Sequence, residues 1–96
     1  MSQLVNKVVT EARRQAILMA LSLAARYTQP VPLLRQTVGV IGYVASLDQI
    51  QADAAWLEEM GLLALDNDVV TLTQRGLDVA TGNARTPGVS IPLPGV

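Results

Sequence analysis

Two sets of side chains in this sequence have the chemistry to hold another molecule. Lys7, Arg13 and Arg14 are cations on one helix-like stretch, with Lys7 and Arg14 two turns apart, and cations so placed can neutralise successive phosphates of a nucleic acid. Gln49 and Gln51 carry the paired donor and acceptor that fit an adenine edge, Ala52 offers an apolar contact for a thymine methyl group, and Ser46 stands where it can cap a helix. Ser46, Gln49, Gln51, Ala52, Lys7, Arg13 and Arg14 therefore make up one candidate surface for duplex DNA. Charge opposes it. From Ser46 to Val70 the chain carries Asp48, Asp53, Glu58, Glu59, Asp66 and Asp68 with no Lys or Arg. Asp48 and Asp53 are expected to face phosphates and repel them, and the positive end of a helix starting at Ser46 offsets only about 0.5 kcal/mol. The bland alternatives are a solvated helix face for the glutamines and a charged stripe that keeps a long helix in water for the cations.

A second candidate surface suits a protein partner. It comprises Asp66 and Asp68 on a polar turn, Trp56, and the segment containing Pro87, Val89 and Ile91. Trp56 is the single tryptophan and lies off the Ile50–Leu57 stripe, so it either lids the neighbouring hairpin or stands at a partner surface.

Composition excludes most chemistry. With no Cys and no His, the chain lacks disulfides, zinc thiolates, a Cys nucleophile and the commonest general base. Glu58 and Glu59 are adjacent and diverge on a helix, while Asp66 and Asp68 flank a turn, so neither pair makes a metal site or an acid–base couple. No enzyme, cofactor or metal site is expected. The net charge of −1 gives no global attraction for nucleic acid or for anionic membranes. Arg13 and Arg14 ahead of the run AILMALSLAA resemble a secretory signal, but they sit far from Met1 beside Glu11, and the run is shorter than a bilayer span. No membrane partner is expected, and the sequence points to the cytoplasm of a bacterial host.

The elements that position these groups follow from periodicity. At 96 residues, half of them apolar, the chain is sized for one domain. Apolar residues at helical spacing predict a helix from Gln3 to Arg26, continuous or bent near Thr10, with Ala16–Ala25 central to the core. Pro30 and Pro32 interrupt it and force extended geometry. A helix from Pro32 to about Ile41 should bury Leu33, Leu34, Val38 and Ile41 and stop at Gly42. Ser46, with Gln49 three residues on, should open a capping-box helix to Met60 that buries Leu47, Ile50, Ala54 and Leu57. Leu63–Leu65 and Val69–Leu72 read as short strands about Asp66-Asn67-Asp68, and Thr73 caps a helix from about Gln74 to Ala80. The expected fold is mainly α with a small β-hairpin wing, a winged helix-turn-helix, over residues 1–82. Residues 83–96 read as an extended Pro/Gly-containing tail whose Val89, Ile91, Leu93 and Val96 have apolar surface to dock.

Two local patterns support that outline: I-x-x-x-A-x-x-L-x-x-x-G-L from Ile50 to Leu62, and Leu72-Thr73-Gln74-Arg75-Gly76. Both resemble the recognition-helix end and the wing-to-helix junction of ArsR- and MarR-type regulators. A wider likeness runs through A-I-L-x-A-L at Ala16–Leu21, Tyr27, Leu34, Gly42, S-x-D-Q-I at Ser46–Ile50, W-L-x-E-x-G-L at Trp56–Leu62, L-T-Q-R-G-L-D-V-A at Leu72–Ala80, G-x-A-R at Gly82–Arg85 and P-G-V at Pro87–Val89. It is similar to small winged-helix proteins of Mu-like phages and prophages. The resemblance implies a phage setting and a DNA-binding or regulatory role, with a homodimer adding weak half-site contacts; for that role or its alternative, self-association through the N-terminal helix is expected, because the apolar stripe from Leu4 to Ala16 is more than a small domain needs to cover. The chain departs from the pattern at Leu47 and Gln51, where basic residues are common, at Pro30, where a polar cap is usual, and in its short wing. The alternative is a protein-interaction or assembly module, in which the acidic helix–wing surface or the tail meets a phage or host protein.

Overall fold

The computed structural model describes residues 2–92. Among these, α1 spans Ser2–Leu23, β1 Thr28–Pro30, α2 Val31–Ile41, α3 Leu47–Glu59, β2 Leu63–Asp66, β3 Val69–Leu72 and α4 Gln74–Ala80. The chain is mainly helical with one small antiparallel sheet, in the strand order β1-β3-β2.

α1 is one helix and ends three residues earlier than its periodicity suggests. Ala24 turns extended and a short 3-10 turn, Ala25–Tyr27, follows, with Arg26 and Tyr27 both at positive φ (57° and 56°). This reversal lays Thr28–Pro30 beside β3, with Thr28 opposite Thr71 and Pro30 opposite Val69. The extended geometry expected around Pro30 is thus a third strand. Its partner lies some 40 residues away, so no local pattern announces it, and its place at the sheet edge suits a proline that cannot donate to a ladder.

The hairpin closes through Asn67 and Asp68, both left-handed (φ 49° and 63°), a two-residue turn between the paired Asp66 and Val69. α3 has the expected capping box: the Gln49 N–H donates to Ser46 Oγ at 3.1 Å and the Ser46 N–H to Gln49 Oε1 at 3.0 Å. At α4, Thr73 Oγ1 accepts from the Gly76 N–H at 3.1 Å and donates to the Gly61 carbonyl at 2.7 Å. Position 76 admits no side chain, because a Cβ there would collide with the Leu62 carbonyl oxygen. That close approach is the physical content of the Leu72–Gly76 motif.

The core centres on α1, whose Ile17, Leu18 and Leu21 are fully buried with Val31, Leu34, Val38, Ile50, Leu57, Leu62, Leu63 and Val70. Five expected core residues are not in it: Leu23, 79% accessible, and Ala25 are exposed where α1 ends and the chain turns away, and three more lie on α2 and α3. Leu33, Ile41 and Leu47 are all exposed, because α2 turns Val31, Leu34 and Val38 inward and leaves its C-terminal end and the start of α3 uncovered. Residues 83–92 fold back over α1, burying Thr86 and Val89, and the Ser90 N–H donates to the Glu11 carbonyl at 3.2 Å. Leu93 and Val96 lie outside the described residues.

Candidate functional site

Of the cations read from the sequence as a surface stripe, Arg13 and Arg14 turn inward at the crossing of α1 and α3. The Arg13 guanidinium grips the Asp53 carboxylate from two sides: Nε donates to Oδ2 in a short contact and Nη2 to Oδ1 at 3.3 Å. Arg14 Nε approaches Asp53 Oδ1 at 3.8 Å. Its Nη1 donates to the Gly88 carbonyl at 3.0 Å, and the guanidinium lies 3.9 Å from the centre of the Trp56 ring. Asp53 is 4% exposed, so its charge is tolerated only because Arg13 and Arg14 meet it there. The expectation that Asp53 faces phosphates is corrected: it faces two arginines.

Trp56 is half-buried at the meeting of α1, α3 and the C-terminal segment. It carries Arg14 on one face and abuts the loop at Gly88, where φ is 91° and a Cβ would fall 2.6 Å from the indole. Arg13, Arg14, Asp53, Trp56 and Gly88 thus form one cluster that ties α1, α3 and the C-terminal segment together.

The other candidate residues stay apart from it. Lys7 is exposed on the projecting start of α1. Ser46 and Gln49 are exposed but bound to each other in the capping box, which uses the Gln49 side-chain oxygen. Gln51 is half-buried, and Ala52 is exposed further along α3. Asp66 and Asp68 are exposed at the hairpin tip, and the Asp68 carbonyl accepts from the Val31 N–H at 2.7 Å. Of the C-terminal residues Pro87 is exposed, Val89 is buried against the body and Ile91 is exposed beside a groove. The structure brings Arg13, Arg14 and Trp56 together and leaves the rest distributed.

Two features escape a charge-based reading. Asp53 sits at i+3 from Ile50 and i−4 from Leu57, on the buried stripe of α3, and that spacing was the available signal of a buried, paired acid. Arg13 and Arg14 likewise precede Ile17 by four and three residues, on the buried side of α1. The second feature is an apolar patch at the α2–α3 turn. Val40 and Val44 are 88% and 92% exposed, beside the exposed Ile41 and Leu47. The acid Asp48 borders it. Exposed apolar side chains grouped at one turn mark a surface for contact with another macromolecule.

Among the described residues no three His, Cys, Asp or Glu side chains gather as metal ligands, and no helix is long and apolar enough to cross a membrane. No family model and no solved structure matches the chain. Over 95 residues it is 36% identical to the uncharacterized protein gp26 of Escherichia phage Mu, across 95% of this chain and 98% of that protein. At that identity and over nearly the whole of both chains, the protein belongs to the family of phage Mu gp26.

Proposed function

We propose that this protein is a non-enzymatic winged-helix domain that works in the phage-infected cell by docking on another protein. The order α1-β1-α2-α3-β2-β3-α4, with β1 added to the far side of the hairpin, supports the winged-helix assignment. In that fold the α2–α3 turn and the start of α3 form the face that enters a DNA groove.

The character of this face carries the proposal. Val40 and Val44 stand almost fully exposed where a duplex would place phosphates, with Leu47 and Asp48 beside them. Groove readers rest on phosphate contacts from cations; here Arg13 and Arg14 are engaged with Asp53, Trp56 and Gly88, and Arg35, the cation beside this turn, donates its Nε to the Ala45 carbonyl at 2.8 Å. Exposed apolar side chains with the single acid Asp48 beside them instead suit a protein surface that is apolar at its centre.

Fluorescence anisotropy of a labelled duplex at about 50 and about 200 mM salt tests this reading, because phosphate contacts weaken as salt rises. We expect no binding at either salt, and stoichiometric co-purification with a phage or host protein that is lost in Val44→Asp. Low-salt DNA binding that fades at high salt would overturn the proposal and restore the regulatory reading.

A further inference from the structure

The start of α1 and the groove beside its middle have the form of two halves of one interface. Residues 2–9 are all exposed, so about 12 Å of helix, at 1.5 Å per residue, stands clear of the body. Its apolar side chains are Leu4, Val5, Val8 and Val9, the least exposed of them 42% accessible. Val5 and Val8 share a helix face with Ala12 and Met19, at the spacings i, i+3, i+7 and i+14. Ala12 and Met19 in turn line a groove of about 360 Å³ between α1, the end of α2 and the C-terminal segment, walled by Ile41, Tyr43, Ile91 and Pro92. No charged side chain lines it. Among the described residues nothing covers this apolar face, which runs from the projecting arm straight into the apolar groove.

Charge indicates what covers both. Lys7 and Glu11 are the charged side chains among residues 2–12, and they lie together along one flank of the apolar face of α1. A second copy of this helix running antiparallel brings Lys7 of each copy toward Glu11 of the other and lays each first turn along the other's groove. A parallel copy sets Lys7 against Lys7. We infer that the protein forms an antiparallel two-fold dimer through α1, with Leu4 and Val5 of each copy filling the groove of the other. The contact is self-complementary and closed, so it stops at two copies. It does not rest on the protein-docking reading: Ile41 borders both surfaces, but Val40 and Val44, on which that reading turns, do not line the groove.

Sedimentation velocity of the full chain at tens of micromolar tests this, with thermal melts to confirm that each variant is folded. The wild type should sediment as a dimer. Val8→Asp should raise the dimer dissociation constant at least about tenfold, and Ile91→Asp should weaken it too, since the groove and not the arm alone makes the contact. Lys7→Glu should weaken the dimer and the double reversal Lys7→Glu/Glu11→Lys should restore it, while Val44→Asp leaves it intact. A monomeric wild type, or a dimer indifferent to Val8→Asp, would sink the interface. Charge reversals without effect, or a double reversal that fails to restore the dimer, would overturn the antiparallel arrangement, and a response to Val8→Asp but not to Ile91→Asp would remove the groove from it.

Discussion

The Arg14 guanidinium lies 3.9 Å from the centre of the Trp56 ring and reaches past it to the Gly88 carbonyl at 3.0 Å. One side chain of α1 thereby holds the α3 face and the C-terminal segment in register. A cation stacked on an indole is worth roughly 0.5–2 kcal/mol, depending on how dry the site is. Arg14→Ala should cost about that much in chemical denaturation. Because Trp56 is the single tryptophan, the same variant should shift its emission to the red as water reaches the ring.

Asp53 answers to a harsher rule, since it is nearly inaccessible and its partners are cations. Asp53→Ala leaves Arg13 charged and without its partner in a half-buried site, and should destabilise the fold by roughly 3–5 kcal/mol. Replacing the pair together, Arg13→Met with Asp53→Leu, should recover part of that loss, because Arg13 is then no longer a charge without its carboxylate, while Arg14 keeps Trp56 and the Gly88 carbonyl. Urea denaturation of the two variants measures the difference. An Asp53→Ala variant as stable as the wild type would show that the ion pair is not needed to hold the crossing.

Gly76 and Gly88 both lack room for a Cβ, but their neighbours differ. At Gly76 the obstacle is the Leu62 backbone, which carries the turn from α3 into β2, so Gly76→Ala forces the hairpin and α4 apart. At Gly88 it is the edge of the Trp56 ring, with a left-handed backbone adding strain. Overpacking typically costs about 1–3 kcal/mol, and Gly76→Ala should lie at the upper end of that range. Gly88→Ala should instead release the C-terminal segment locally, read as faster amide exchange at Ser90, whose N–H is otherwise held by Glu11.

Val38 and Val44 lie six residues apart and should respond oppositely to the same change. Val38 is fully buried, so Val38→Asp places an unpaired carboxylate in the core and should prevent folding. Val44 is 92% exposed, so Val44→Asp should leave stability within about 0.5 kcal/mol while removing the apolar patch from any partner. Thermal melts of the two variants check this directly.

What was legible in the amino-acid order was whatever depends on near neighbours. The capping box of Ser46 and Gln49, the Thr73 cap, the Asn67-Asp68 turn and the alternation of β2 and β3 each rest on groups a few residues apart, where chain geometry leaves few choices. The likeness to Mu-like phage proteins was legible too, because it resides in residue identities. Tertiary structure decided the rest, where the partner is distant in sequence. β1 becomes a strand only because β3 is brought beside it, and Arg13 and Arg14 leave the surface only because α3 presents Asp53 and Trp56 to them across some 40 residues. The same packing sets which apolar residues stay wet. Leu33, Ile41 and Leu47 fit a buried helical stripe by spacing alone, but a helix surface is covered only where another element lies on it, and among the described residues none covers Leu33 in the first turn of α2 or Ile41 and Leu47 at the α2–α3 turn.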